Sequence, residues 1–89
     1  EPVNLKKIIN VLSYPQIVRD AGISGTVVLR VAVDKYGSYL SHKVMKEVHP
    51  ILLKEVEKEV SALRFVPAIW KGKPVPFEMN IPFRFELKN

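Results

Sequence analysis

The sequence predicts an α+β domain of two layers, a three-stranded antiparallel sheet packed against helices. Three patterns carry this reading: apolar residues at period two from Gly25, an apolar stripe at helical spacing after Pro50, and an unbroken apolar parity from Val75 to Leu87. A chain of 89 residues buries about 64% of its extended surface by the usual size scaling, enough for one small core. No repeat or low-complexity linker divides it, and residues 1–12 read as a helical extension ahead of a domain over 13–89.

In chain order, Leu5, Ile8, Ile9 and Leu12 fall on one face of a short helix that Asn4 is placed to cap. Pro15 disfavours helix at Tyr14. A second short helix is expected with Pro15 in its first turn, Ile17, Val18 and Ala21 inward, and Gly22 as its C-terminal cap. Val27, Leu29, Val31 and Val33 then define the buried face of a strand, and Asp34-Lys35-Tyr36-Gly37 a turn in which Gly37 takes positive φ. A second strand over about 39–48 completes a hairpin, with Leu40, Val44 and Val48 expected inward. Pro50 opens the main helix, His49 caps it, and Leu52, Leu53, Val56, Val60 and Leu63 form its apolar stripe. Glu55 and Lys58 are spaced to pair on its wet face. Trp70-Lys71-Gly72-Lys73-Pro74 is a turn, with Trp70 expected to cover one end of the core.

The composition excludes several classes. With no cysteine and two histidines, a disulfide-stapled fold is ruled out and a zinc module nearly so. No run approaches the ~20 apolar residues of a membrane span. The net charge of +5 is spread evenly, six bases and three acids over residues 1–45 against eight and six over 46–89. Such a surface favours anionic partners in general without naming one. The aromatics of the last strand occupy its core parity, unlike the outward aromatics of an RNA-binding sheet, so no nucleic-acid partner is expected.

No catalytic constellation, cofactor motif or metal set emerges. Gly-rich phosphate loops and the HExxH, CxxC and GxSxG patterns are absent. His42 shares the inner parity of the second strand and is the more unusual histidine. The expected function is non-enzymatic.

The last strand is more informative. Pro76 and Pro82 share one parity, so their missing donors point to the same flank, which suits an edge strand. The even residues then present the open flank, and Glu78 and Asn80 offer backbone groups between the prolines. Two readings remain open: a window that accepts a peptide strand, or prolines that merely block self-pairing.

The stretch from Tyr14-Pro15-Gln16-Ile17-Val18-Arg19-Asp20-Ala21-Gly22 through Gly25-Thr26-Val27-Val28 to Asp34-Lys35-Tyr36-Gly37 resembles the opening of the TonB C-terminal domain family. Leu63-Arg64-Phe65-Val66-Pro67-Ala68, Gly72-Lys73-Pro74-Val75 and Ile81-Pro82-Phe83-Arg84-Phe85 continue the likeness in order, over roughly residues 13–87. Leu63 departs from the pattern, which often has tryptophan there, and Trp70 stands where the family's turn is usually polar.

The resemblance implies the periplasmic end of an energy transducer anchored in the Gram-negative inner membrane. It implies an ExbB/ExbD-like motor driven by proton-motive force and acting through upstream regions, with no direct membrane insertion by this segment. The partner would be the TonB box of outer-membrane receptors, bound by strand addition along Pro76, Phe77, Glu78, Met79, Asn80, Ile81, Pro82, Phe83 and Arg84. Nutrient import, of siderophores for example, would follow from pulling. Tyr14, Pro15 and Lys73 are peripheral candidates, with Tyr14 expected to pack locally, and a homodimer by strand exchange is compatible with the family. The same fold on a TolA-like scaffold or a membrane-peptidase sensor is the competing assignment, with a small RNA-binding α+β domain a remoter one.

Overall fold

The structure, a computed structural model, describes residues 3–5 and 14–87. The expected helix over 4–12 therefore lies mostly outside the described residues, and so does the greater part of the 1–12 extension. Within them, Asn4 bridges to the segment after the main helix: its Oδ1 accepts from the Arg64 N–H at 2.8 Å and its Nδ2 donates to the Ala62 carbonyl at 2.9 Å.

Helix α1 spans Gln16–Asp20, with Pro15 as its N-cap. It ends in a paired closure: the Ile23 N–H bonds the Val18 carbonyl and the Gly22 N–H bonds the Arg19 carbonyl, both at 3.0 Å, with Gly22 at φ 71°. This is the left-handed cap that glycine was expected to supply. So short a helix buries one side chain, Val18; Ile17 is exposed, as is Ala21, contrary to the expected inward trio.

Strand β1 (Gly25–Val33) is the centre of the sheet, and β2 (Tyr39–Lys46) pairs antiparallel to it. Asp34 fixes the turn between them. Its Oδ1 accepts from the backbone N–H groups of Tyr36 and Ser38, both at 2.9 Å. Gly37, at φ 86°, bonds Phe65 through its carbonyl at 2.8 Å, and a Cβ there would overlap the Phe65 carbonyl oxygen. Only glycine meets both demands.

The period of two is broken along β2. The register with β1 shifts between Ala32 and Val33 and again between Val28 and Leu29, leaving Leu40 and Met45 as extra residues. Each extra residue inverts the parity of the residues beyond it. Leu40 is consequently 57% exposed, and Val44, although opposite buried Leu29, lies at the open edge and is 41% exposed. Val48 falls beyond the strand, where its side chain lies against Gly25.

Helix α2 (Pro50–Val60) matches the predicted start and face. His49 Nδ1 accepts from the Ile51 N–H at 3.1 Å, and Leu52, Val56 and Val60 are buried. Leu63 is buried too, from just beyond the helix. Lys58 and Glu55 meet at 2.9 Å.

The segment expected as a bare turn is instead a hairpin. β3 (Ala68–Trp70) and β4 (Lys73–Val75) form a separate two-stranded sheet, closed by Lys71 at φ 50° and Gly72 at φ 78°. Pro76 interrupts the chain, and β5 (Phe77–Phe85) returns antiparallel along β1. The sheet order is β2-β1-β5. Val27, Leu29, Val31 and Val33 of β1, Leu52, Val56 and Val60 of α2, and Ile81, Phe83 and Phe85 of β5 share one apolar core.

Candidate functional site

Strand β5 meets β1 residue by residue, from Val33 opposite Phe77 to Gly25 opposite Phe85, with no shift of register. Pro82 faces Val28 in this ladder. A proline inside a regular antiparallel pair must occupy a position whose backbone groups point away from the partner strand. The period of two extends that assignment to Glu78, Asn80 and Arg84. Phe77, Met79, Ile81, Phe83 and Phe85 bond inward to β1. The outward flank thus offers the N–H and C=O of Glu78, Asn80 and Arg84 and the C=O of Pro82. Among the described residues no strand covers it.

The side chains follow the same alternation. Ile81, Phe83 and Phe85 are buried, Phe77 and Met79 are half-buried, and Glu78, Asn80, Pro82 and Arg84 are exposed. The unburied portions of Phe77 and Met79 leave apolar surface at the first half of the strand. Arg30 reaches Glu78 at 3.3 Å, and Arg84 lies 3.5 Å from Glu86; both pairs are well exposed and worth little to stability.

The peripheral candidates separate. Tyr14 donates its hydroxyl to the Ile23 carbonyl and stacks edge-on against Phe85, with ring centroids 5.4 Å apart. It packs locally, as expected, and anchors the far end of β5. Pro15 is half-buried at the start of α1. Pro76 stands in the break before β5, outside the ladder, so one proline rather than two fixes the flank. Lys73 belongs to the β3–β4 hairpin and is not part of the β5 edge. Trp70 does not cover the core: it is 62% exposed, with the Lys71 ammonium 4.5 Å from its ring centre.

His42 sits between β2 and α2. Its Nδ1 lies 2.7 Å from the Tyr39 hydroxyl and its Nε2 2.6 Å from a Glu57 carboxylate oxygen. A phenol and a carboxylate at its two nitrogens make a cross-link between strand and helix. Among the described residues no group of three or more His, Cys, Asp or Glu is placed to hold a metal, and no helix is long and apolar enough to cross a membrane.

Fold and edge together define a helix-backed, three-stranded α+β domain whose last strand, among the described residues, is paired on one flank only. Its chain matches the family model described as Gram-negative bacterial TonB protein C-terminal over residues 10–87. The protein belongs to that family. Protein TonB of Vibrio cholerae serotype O1 is 32% identical over an alignment of 76 residues that covers 84% of this chain and 31% of that relative's length. The chain thus spans about a third of the curated relative it matches. The solution structure of the Pseudomonas aeruginosa TonB C-terminal domain superposes with a TM-score of 0.72 at 22% identity, over 100% of this chain and 87% of the other. A Helicobacter pylori TonB C-terminal domain gives 0.66 at 22% identity, over 96% and 95%. These two likenesses bear on the fold.

Proposed function

We propose that this domain is the periplasmic, receptor-engaging end of a TonB-like energy transducer, and that it binds the TonB box of outer-membrane receptors by strand addition on β5. The observation that carries the reading is Pro82 in an unshifted ladder opposite Val28, which turns the backbone groups of Glu78, Asn80 and Arg84 to an open flank. A peptide in extended conformation completes those groups and extends the sheet. Backbone pairing is indifferent to most side chains, so one domain serves receptors of varied sequence. Apolar residues of the peptide find the half-buried Phe77 and Met79 on the helix side, and Arg84 lies on the opposite face.

Family membership supports the rest of the scheme. An anchor in the inner membrane and an ExbB/ExbD-like motor would act through upstream segments, pulling the bound receptor peptide and admitting a nutrient such as a siderophore. Tension along paired strands loads several backbone hydrogen bonds at once. The same flank would serve strand exchange in a homodimer. No reacting group is required of the chain, whose role is mechanical.

Titrating the isotope-labelled chain with a receptor-derived TonB-box peptide, against a scrambled control, tests this. The reading expects amide shifts concentrated at residues 77–84. Shifts confined to β2 or α2 would overturn it.

A further inference from the structure

The β3–β4 hairpin is apolar on both of its faces. Cross-strand pairing sets Trp70 opposite Lys73 and Ile69 opposite Pro74, so Trp70 and Ile69 point to opposite sides. Each is 62% exposed, and Val66 just before the hairpin is 63% exposed. Lys71 and Lys73 lie at the turn and enter no ion pair among the described residues, Lys71 resting instead on the Trp70 ring. No acidic residue occurs between Glu59 and Glu78.

A flat protein partner would bury one of these faces and leave the other wet. A medium that surrounds the tip satisfies both at once. Tryptophan is suited to the headgroup level of a bilayer, where its ring is desolvated and its N–H stays hydrated. Lysines beside it extend their apolar stems inward and hold their charges at anionic headgroups. The acid-free stretch of chain between Glu59 and Glu78 places no carboxylate on the hairpin itself to oppose that attraction.

Departing from the expectation of no direct membrane insertion, we infer that the β3–β4 tip is an interfacial anchor for an anionic lipid bilayer, inserting Ile69 and Trp70 to headgroup depth with Lys71 and Lys73 on the lipid phosphates. Contact of this kind is peripheral and reversible and needs no spanning segment. Since the tip precedes β5 by a few residues, docking would hold the open strand edge near the membrane surface.

Trp70 is the sole tryptophan, so its emission reports the tip directly. The experiment titrates the full chain with vesicles of mixed phosphatidylglycerol and phosphatidylcholine, and separately with phosphatidylcholine alone. The inference expects a blue shift of Trp70 with the anionic vesicles, reversed by salt and much weaker with the zwitterionic ones. Replacing Lys71→Gln or Lys73→Gln should weaken partitioning roughly fivefold for each lysine, read by vesicle sedimentation. Both variants should keep the β5 response to peptide, which separates this test from that of the docking edge. Unmoved emission with anionic vesicles, equal binding to both compositions, or a shift that depends only on protein concentration would each overturn the inference. The last outcome would assign the tip to a second copy of the chain.

Discussion

Pro82 lies opposite Val28, within a ladder that continues without a shift on either side of it. This one juxtaposition decides which backbone groups of β5 face β1 and which face away from it. A donorless residue is tolerated only where no donor is required of it. Every even position of the strand inherits the same orientation.

Asn80→Pro should therefore remove an outward donor that the folded domain does not use. Urea unfolding is expected to change by less than about 1 kcal/mol, while peptide affinity falls about tenfold, the worth of a typical hydrogen bond. Met79→Pro should instead leave the Val31 carbonyl without its partner and cost about 1–3 kcal/mol of stability. Equal destabilisation by the two substitutions would reject the assignment of flanks.

Gly37 and Gly22 both take positive φ, yet their surroundings differ. Nothing lies within 4 Å of a Cβ added at Gly22, whereas one at Gly37 overlaps the Phe65 carbonyl. Gly22→Ala is expected to cost about 1 kcal/mol, the conformational term alone. Gly37→Ala should cost clearly more, since the β1–β2 turn must part from the segment after α2. Thermal melts of the pair decide this, and matching losses would show that the close approach is unimportant.

The His42–Glu57 contact should couple β2 to α2. A double-mutant cycle with His42→Ala and Glu57→Ala is expected to give a coupling energy of about 1 kcal/mol, modest because the carboxylate is partly hydrated. Additive losses would reduce the contact to two independently solvated groups.

Tyr14→Phe should keep the ring against Phe85 and lose the bond to the Ile23 carbonyl, at about 1 kcal/mol. Tyr14→Ala should cost about 1 kcal/mol more than that, for the aromatic contact. If the phenylalanine variant instead weakened peptide binding with stability intact, Tyr14 would have a direct role at the edge.

The sheet centre, the main helix and the C-terminal strand are legible because each keeps a regular period: the odd residues of β1 and β5 and the stripe of α2 all reach the core. Gly22, Gly37 and His49 are legible through local chemistry alone. The inner face of β2 is not, because bulges at Leu40 and Met45 change its parity, and bulges leave no clear trace in an apolar pattern. The β3–β4 hairpin is hidden because its turn is Lys-Gly, with a lysine at a positive φ that asparagine usually fills. Gly72 between Ile69-Trp70 and Val75 is the available signal. Trp70 misleads for a related reason: a tryptophan in a small chain is ordinarily needed by the core, but the phenylalanines and leucines already fill this one. Of the proposed edge, the strand and its flank follow from parity, while the position of Pro76 outside it depends on a break that parity does not reveal.

Amide hydrogen exchange along β5 probes the proposed docking surface most directly. In the free domain the amides of Met79, Ile81 and Phe83 should exchange slowly and those of Glu78, Asn80 and Arg84 rapidly; a bound receptor peptide should slow the second set and leave the first unchanged. Slow exchange at Glu78, Asn80 and Arg84 before any peptide is added, or fast exchange there under saturating peptide, would contradict strand addition at this flank.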